Sequence, residues 1–158
     1  MEIEKTLYRL SKEISESDLS NPLLIGIPRR GDLLTKRISK HLIENGFDHD
    51  IDTVNYRPFR DDLEEELEKS NLNIYPEYRD IVLIDDVIYT GRTLRASIEA
   101  VMHSGRPKSI TLACLIDRGH RELPITPKFV GKNIPTNESE YVSVFLEEID
   151  KEDRIEVS

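Results

Sequence analysis

Apolar residues recur along this chain with two periods, and the changes between them predict its elements. Ile3, Leu7, Leu10 and Ile14 fall three and four apart, which predicts an opening amphipathic helix. Leu23–Ile27 is a short continuous apolar run, read as a buried strand, and Pro28-Arg29-Arg30-Gly31 makes a tight basic turn after it. Leu34, Ile38 and Leu42 return to helical spacing, with Asn45-Gly46 as the C-terminal stop. Ile51–Asn55 alternates as a strand should. Ile81–Ile84 predicts a central strand, and Gly91–His103 a helix ended by Ser104-Gly105-Arg106-Pro107. Ser109–Ile116 reads as another buried strand and Tyr141–Leu146 as a last one. Strands alternating with helices predict an α/β fold, with a mostly parallel central sheet flanked by helices on both faces. In such sheets ligands bind beyond the carboxyl ends of the strands. Pro28–Gly31, Asp85–Thr93 and Asp117–His120 each follow a predicted strand, so all three are expected on one edge.

Residues Tyr56–Tyr78 fit neither period. The stretch is charged, and a loop of that length inside a compact domain is expected to be either an active-site lid or a solvated acidic excursion. Arg118–Pro127 is polar and carries two prolines. There is no internal repeat and no low-complexity segment.

A length of 158 residues predicts a single domain spanning 1–158. No apolar run approaches the ~20 residues of a membrane-spanning helix. Met1-Glu2-Ile3-Glu4-Lys5 lacks the apolar core of a signal peptide. The one cysteine, Cys114, lies inside an apolar strand and reads as a buried, inert thiol. These features together predict a cytoplasmic protein with no membrane partner. The net charge of −9 disfavours long-range attraction to nucleic acid. The charge is uneven, however. Acids concentrate in Asp61–Glu68 and Glu147–Glu156, whereas Arg29–Lys40 and Arg118–Lys132 are locally basic and leave room for a local RNA face.

The most informative stretch is Ile81-Val82-Leu83-Ile84-Asp85-Asp86-Val87-Ile88-Tyr89-Thr90-Gly91-Arg92-Thr93. An apolar strand ends in two adjacent carboxylates. A short loop of Thr, Gly and Arg follows, and then a helix begins. The carboxylates suit sugar hydroxyls, and the loop offers backbone N–H groups and a helix N-terminus to a phosphate. Nucleotide-hydrolysing proteins also end strands in Asp-Asp, but the G-x-x-x-x-G-K-[ST] loop they require is absent from this sequence. Phospho-acceptor domains place such acids on an early strand, whereas this pair lies past the midpoint.

This segment resembles the phosphoribosyl-pyrophosphate (PRPP) signature of type I phosphoribosyltransferases. Leu115-Ile116-Asp117-Arg118-Gly119-His120-Arg121-Glu122-Leu123-Pro124-Ile125 and Val130-Gly131-Lys132-Asn133-Ile134-Pro135-Thr136 resemble one branch in particular, the PyrR family. Its members are pyrimidine-operon attenuation proteins that are also uracil phosphoribosyltransferases. Gly26-Ile27, Arg30-Gly31 and Arg60-Asp61-Asp62-Leu63 fit the same branch, and the likeness runs from about Leu7 to Leu146.

The resemblance implies a type I phosphoribosyltransferase fold with a mobile lid and a small hood. It implies that Asp85 and Asp86 bind the ribose hydroxyls and stabilise positive charge on the sugar ring. Val87, Ile88, Tyr89, Thr90, Gly91, Arg92 and Thr93 would complete the PRPP site and hold the 5′-phosphate. Arg29, Arg30 and Gly31 resemble the pyrophosphate loop, with Pro28-Arg29 where the family commonly has a basic residue and Thr. Arg60 resembles the lid arginine that reaches pyrophosphate, and Pro58 precedes it where the family's strand usually continues. Arg118, in the hood, is the candidate contact to uracil. Mg²⁺ would arrive with PRPP, with no direct protein ligand assigned. Tyr89 offers no carboxylate where purine enzymes of the superfamily often place Asp.

RNA recognition in this family uses the N-terminal helix and the segment after the hood. That implies Arg121, Lys132 and Lys12 as contacts, with Tyr8 and Lys12 standing where the family often has Thr and His, and Thr126 where a basic residue is common. The implied partners are PRPP, uracil, UMP or UTP, pyr leader mRNA, and further copies of the chain in a dimer or tetramer. Two alternatives stay open: an RNA-binding regulator with vestigial activity, and a phosphoribosyltransferase for another base that binds no RNA.

Overall fold

The computed structural model describes residues 3–60 and 72–158. Five strands, β1 (Leu23–Gly26), β2 (Asp50–Thr53), β3 (Asp80–Ile88), β4 (Ser109–Asp117) and β5 (Phe129–Asn133), form one sheet in the order β2-β1-β3-β4-β5. Every neighbouring pair in it is parallel. Helices α1 (Ile3–Glu16), α2 (Gly31–Glu44) and α3 (Arg92–Ser104) cover its faces. The α/β architecture expected from the alternating periods is therefore the one observed.

Period-two alternation along the strands assigns the two cores. Leu24, Val82, Ile84, Ala113 and Leu115 face α1 and α2, where Leu7, Leu10, Ile14, Leu34, Ile38 and Leu42 are buried. Leu23, Ile25, Ile81, Leu83, Leu112 and Cys114 face the other way and meet Leu94, Ala96, Ala100 and Val101 of α3. Burial pushes the Cys114 thiol far above its ordinary pKa, so it stays protonated and inert.

Three expectations need correction. β3 runs on to Ile88 and holds Asp85 and Asp86 within the strand instead of beyond its end. Its pairing with β4 supports the extension, since Val87 and Ile88 still lie beside Ile116 and Asp117. The expected last strand, β6 (Val142–Phe145), does not join the parallel sheet. It pairs antiparallel with β7 (Arg154–Val157), which the sequence reading did not anticipate, through the short helix α4 (Glu147–Asp150). The central sheet is completed instead by β5, from the segment after Arg118–Pro127. Pro58 sits in a 3-10 turn, Arg57–Phe59, so no strand crosses it. Positions 61–71, which hold Asp61, Asp62 and the middle of the expected lid, lie outside the described residues.

Among the described residues no helix is long and apolar enough to cross a membrane. The C-terminal segment is docked on α2 by Arg37, whose guanidinium takes Glu148 at 2.6 and 2.8 Å, Asp153 at 2.7 and 2.9 Å, and Glu4 of α1 at 3.0 Å.

Candidate active site

The chain leaves β1 toward β2 on one side, and β3 then starts on the other side of β1. The carboxyl ends of β1 and β3 therefore flank the switch point of the sheet, where open α/β folds bind ligands. Two loops meet there. Pro28–Arg30 follows β1 and leads into α2, with a cis peptide between Pro28 and Arg29. Tyr89–Gly91 follows β3 and leads into α3. The two helix-entry residues, Arg30 (φ 83°) and Gly91 (φ 95°), give neither helix a side-chain cap. Open N-terminal N–H groups with the helix dipole behind them form an anion site at each entrance.

The first loop lies directly against the acid pair. A Cβ placed on Gly31 would stand 2.4 Å from the Ile84 carbonyl oxygen and 3.2 Å from Asp85 Cα. Glycine is thus required there by contact, which is what lets the loop approach β3 so closely. The second loop forms a cleft of about 150 Å³ lined by Asp85 and by residues 87–94 from Val87 to Leu94. Asp85 contributes to that wall, whereas Asp86 lies toward the first loop, where the positive charge of Arg30 favours its ionised form.

The carboxylates are fixed by the strand itself. Asp85 Oδ1 accepts the Asp86 N–H at 2.9 Å, and Asp86 Oδ1 accepts the Val87 N–H at 2.7 Å. Burial pushes the Asp85 carboxyl well above the ordinary carboxylate range, and the charge of Asp86 and a side-chain hydrogen bond with it push it further, against the pull of the Asp86 N–H. Burial also raises Asp86, against the opposing pull of its hydrogen bonds and of Arg30. The pair therefore retains a proton to higher pH than a free carboxylate.

The other expected residues divide into those that face the cleft and those bound internally. Thr90 Oγ1 accepts the Arg92 N–H at 3.3 Å, and the Thr90 carbonyl accepts N–H bonds from Glu122 and Leu123 at 2.9 and 3.3 Å. Arg92 pairs with Glu122 at 2.7 Å. Arg60 directly follows the 3-10 turn, its N–H bonded to the Arg57 carbonyl at 3.2 Å. Arg118 is buried: its guanidinium donates to Thr136 Oγ1 at 3.0 Å, to the Asn137 carbonyl at 3.2 Å and to the Glu140 carbonyl at 2.6 Å. Its outer face lies over the Tyr89 ring, 4.0 Å from the centroid, as a cation–π stack. Arg118 thus holds the 136–140 segment above Tyr89. Beside the stack, Asp117, Arg118, Gly119, His120, Asn133, Pro135 and Thr136 line a second cavity of about 330 Å³ on the same edge.

Arg121 is committed in the same way. It donates to the Ile125 carbonyl at 2.8 Å, the Tyr89 carbonyl at 2.7 Å and Asp117 Oδ2 at 2.7 Å, and so braces the Tyr89–Gly91 loop. Lys132 is exposed at the end of β5, and Lys12 lies on α1 with its ammonium 3.0 Å from Asn45 Oδ1 and 5.4 Å from the Tyr8 ring centroid.

Sequence reasoning missed Asp150. Both its oxygens stand 3.2 Å from Arg30 Nη2, so a residue of the C-terminal segment completes the surroundings of the first loop. It lay inside an acidic run that read as solvated tail, and no local pattern distinguishes it from its neighbours.

A buried acid pair between two anion-sized loops is what a phosphoribosyltransferase needs, and the sequence agrees with that class. The family pattern described as phosphoribosyl transferase domain matches residues 1–148. Within that class the chain belongs to the PyrR family. It is 43% identical over 158 residues to bifunctional protein PyrR of Streptococcus suis, covering 98% of this chain and 91% of the relative. It is 49% identical over 156 residues to bifunctional protein PyrR of Clostridium kluyveri, covering 94% and 88%. Its fold is shared with a hypoxanthine phosphoribosyltransferase of Trypanosoma cruzi in complex with IMP, at TM-score 0.70 and 18% identity over 89% of this chain and 70% of that one. A hypoxanthine-guanine phosphoribosyltransferase of Bacillus anthracis gives 0.69 and 18% over 89% and 81%. At such identity the solved structures speak to fold alone.

Proposed function

We propose that this chain transfers the 5-phosphoribosyl group of PRPP to uracil, forming UMP and pyrophosphate, and that it also binds pyr leader RNA in control of pyrimidine synthesis. The observation that carries the enzymatic reading is the acid pair at the β1/β3 switch point, set between the N-termini of α2 and α3, whose entry residues Arg30 and Gly91 supply no side-chain cap. The loop of Tyr89, Thr90, Gly91, Arg92 and Thr93 holds the 5′-phosphate. Arg29, Arg30 and Gly31 hold the pyrophosphate, and Arg60 adds a cation to it. Asp85 and Asp86 accept the ribose hydroxyls.

The physical chemistry of the pair suits the reaction. Glycosyl transfer builds positive charge on the ribose ring and negative charge on the departing pyrophosphate. Two carboxylates that resist ionisation on their own become ionised when hydroxyl donors and positive charge arrive. Their stabilisation is therefore greatest when the ring is most cationic, which favours the transition state over the ground state. The basic loop meets the charge that leaves.

Mg²⁺ fits this site, because a divalent ion relieves the repulsion between Asp85 and Asp86. It would arrive on the PRPP oxygens, keep waters, and supply charge neutralisation for the pyrophosphate.

The cavity beside the Arg118–Tyr89 stack supports the base site, with Arg118 shaping its wall. The choice of uracil rests on the PyrR relatives and on Tyr89, which supplies no carboxylate to a purine. The RNA reading rests on the same relatives, with half-buried Lys12 on α1 and exposed Lys132 as contacts. Arg121, bound internally, contributes to RNA binding by fixing the shape of the hood. A homo-oligomer and a cytoplasmic setting belong to the same proposal. The test is pyrophosphate release from Mg²⁺–PRPP with uracil, hypoxanthine, guanine and orotate supplied one at a time. Uracil alone should support turnover; turnover with a purine and none with uracil overturns the assignment.

A further inference from the structure

We propose that Asp150, on the C-terminal helix α4, is a positioning residue for the pyrophosphate half of the site. The inference rests on the assignment of Pro28–Gly31 as the pyrophosphate loop. Arg30 is the residue through which the tail could act. It enters α2 at φ 83°, and its side chain turns toward the C-terminal segment, where Nη2 meets both oxygens of Asp150 at 3.2 Å. The pair is shielded, with 25% of the Arg30 side chain and 18% of the Asp150 side chain exposed.

Asp150 is itself held on two sides. Its Oδ2 accepts the Leu146 N–H at 2.8 Å, and its own N–H donates to the Leu146 carbonyl at 2.7 Å. The Leu146 N–H and the Arg30 guanidinium hold the Asp150 carboxyl below the usual carboxylate range. Its neighbour Glu148 and the following Asp153 are clamped to α2 by Arg37. Asp153 Oδ1 also accepts the Glu147 N–H at 2.8 Å. The carboxylate therefore stands at a fixed place relative to α2, and Arg30 is the residue through which the chain enters α2. Loop, helix and tail form one unit.

The unit leaves one donor unused. Arg30 Nε is buried and has no hydrogen-bond partner. A buried guanidinium N–H without an acceptor is costly, and a ligand anion that accepts it removes the cost. Asp150 neutralises one arm of the guanidinium and fixes its orientation, so that Nε–H waits for an oxygen of the pyrophosphate. Gly31 holds the same loop against Ile84 and Asp85, so any reorientation of Arg30 is felt next to the acid pair. The tail thereby sets the aim of the loop without touching substrate.

The experiment compares wild type with Asp150→Asn, Asp150→Ala and Asp150→Glu. Asn keeps an oxygen for the Leu146 N–H and removes only the charge toward Arg30. Four quantities are read: KM for PRPP with kcat, affinity for inorganic pyrophosphate with Mg²⁺, affinity for ribose 5-phosphate, and the melting temperature. Asp150→Asn should weaken pyrophosphate and raise KM for PRPP by about 5- to 20-fold, the range expected for a misaligned charge-assisted contact. Ribose 5-phosphate binding should stay within about twofold, because the Thr90–Thr93 loop is untouched. Asp150→Glu should recover part of the loss. If Asp150→Asn binds pyrophosphate as wild type does, or more tightly, the positioning role is wrong, and in the second case the carboxylate competes with the ligand. Equal loss of ribose 5-phosphate and pyrophosphate, or a loss that only follows the melting temperature, also overturns it. Wild type binding neither PRPP nor pyrophosphate would instead remove the assignment of the loop.

Discussion

Asp85→Asn should make this protein more stable at pH 8 while removing most of its activity. The substitution preserves volume, and Asn Oδ1 can still accept the Asp86 N–H that Asp85 Oδ1 accepts at 2.9 Å. What it removes is a charge that burial and Asp86 both oppose. The sign follows from proton counting. The folded-state pKa of Asp85 lies well above the ordinary 3.8, so the folded form binds more protons than the unfolded form between those two values. The contribution of Asp85 to wild-type stability is therefore fully present below about pH 3.8 and is lost as pH rises through its folded-state pKa. Asn has no such loss, because it is neutral throughout. Relief of one strained functional group is worth about 0.5–2 kcal/mol. For a chain of this size that corresponds to a rise in Tm of roughly 1–8 °C. Thermal melts of both proteins at pH 4 and pH 8 measure it, with the gain expected at pH 8 and shrinking toward pH 4. Turnover with PRPP and uracil should fall by about 100-fold or more, since a group that meets developing charge is gone. A variant less stable than wild type at pH 8, or one with equal gain at both pH values, would refute the reasoning. So would near-normal turnover.

The remaining predictions concern the first loop, the tail and the RNA face. Gly31→Ala places a Cβ 2.4 Å from the Ile84 carbonyl oxygen, so the loop must withdraw from β3. It should weaken PRPP binding at least tenfold in a competition assay, a cost of about 1.4 kcal/mol or more. Unchanged affinity would show that the close approach is dispensable. Arg37→Ala frees Glu148 and Asp153, whose carboxyls Arg37 holds below their ordinary range. Because the partner carboxylates are partly exposed, the loss in urea denaturation at pH 7 should be about 1–3 kcal/mol, not the full cost of a buried pair. The difference between the two proteins should shrink as acid protonates the partners, and a difference independent of pH would argue against the ion pairs. Lys132→Ala and Lys12→Ala should each weaken pyr leader RNA and shallow the salt dependence of binding by about 0.7 to 0.9 per lost phosphate contact. Wild-type slopes in both variants would move the RNA site elsewhere.

The parts of this molecule that could be read in its sequence are those governed by local rules. The strand of Ile81 to Ile84, the acid pair, and the glycine turn into α3 follow one another within 13 residues, each recognisable from residue type. The three loops on one edge followed from the alternation of periods alone. What was not legible depends on pairing across long separations. Phe129–Asn133 holds a glycine, a lysine and an asparagine, and becomes a strand because β4 offers it an edge. Arg154–Val157 lies in an acidic tail and is a strand only through β6. The resemblance offered Arg118 as a uracil contact and Arg121 as an RNA contact. In the structure Arg118 also holds the Glu140 carbonyl and Arg121 the Ile125 and Tyr89 carbonyls, a use that spacing cannot reveal. Asp150 meets a residue 120 positions away, and nothing in its neighbours announces the pairing.

A crystal structure with UMP bound would test the account most directly. The account predicts the 5′-phosphate on the N–H groups of Thr90–Thr93, the two ribose hydroxyls on Asp85 and Asp86, and uracil in the cavity beside the Arg118–Tyr89 stack. A phosphate seated on another loop, or a ribose out of reach of the acid pair, would contradict it.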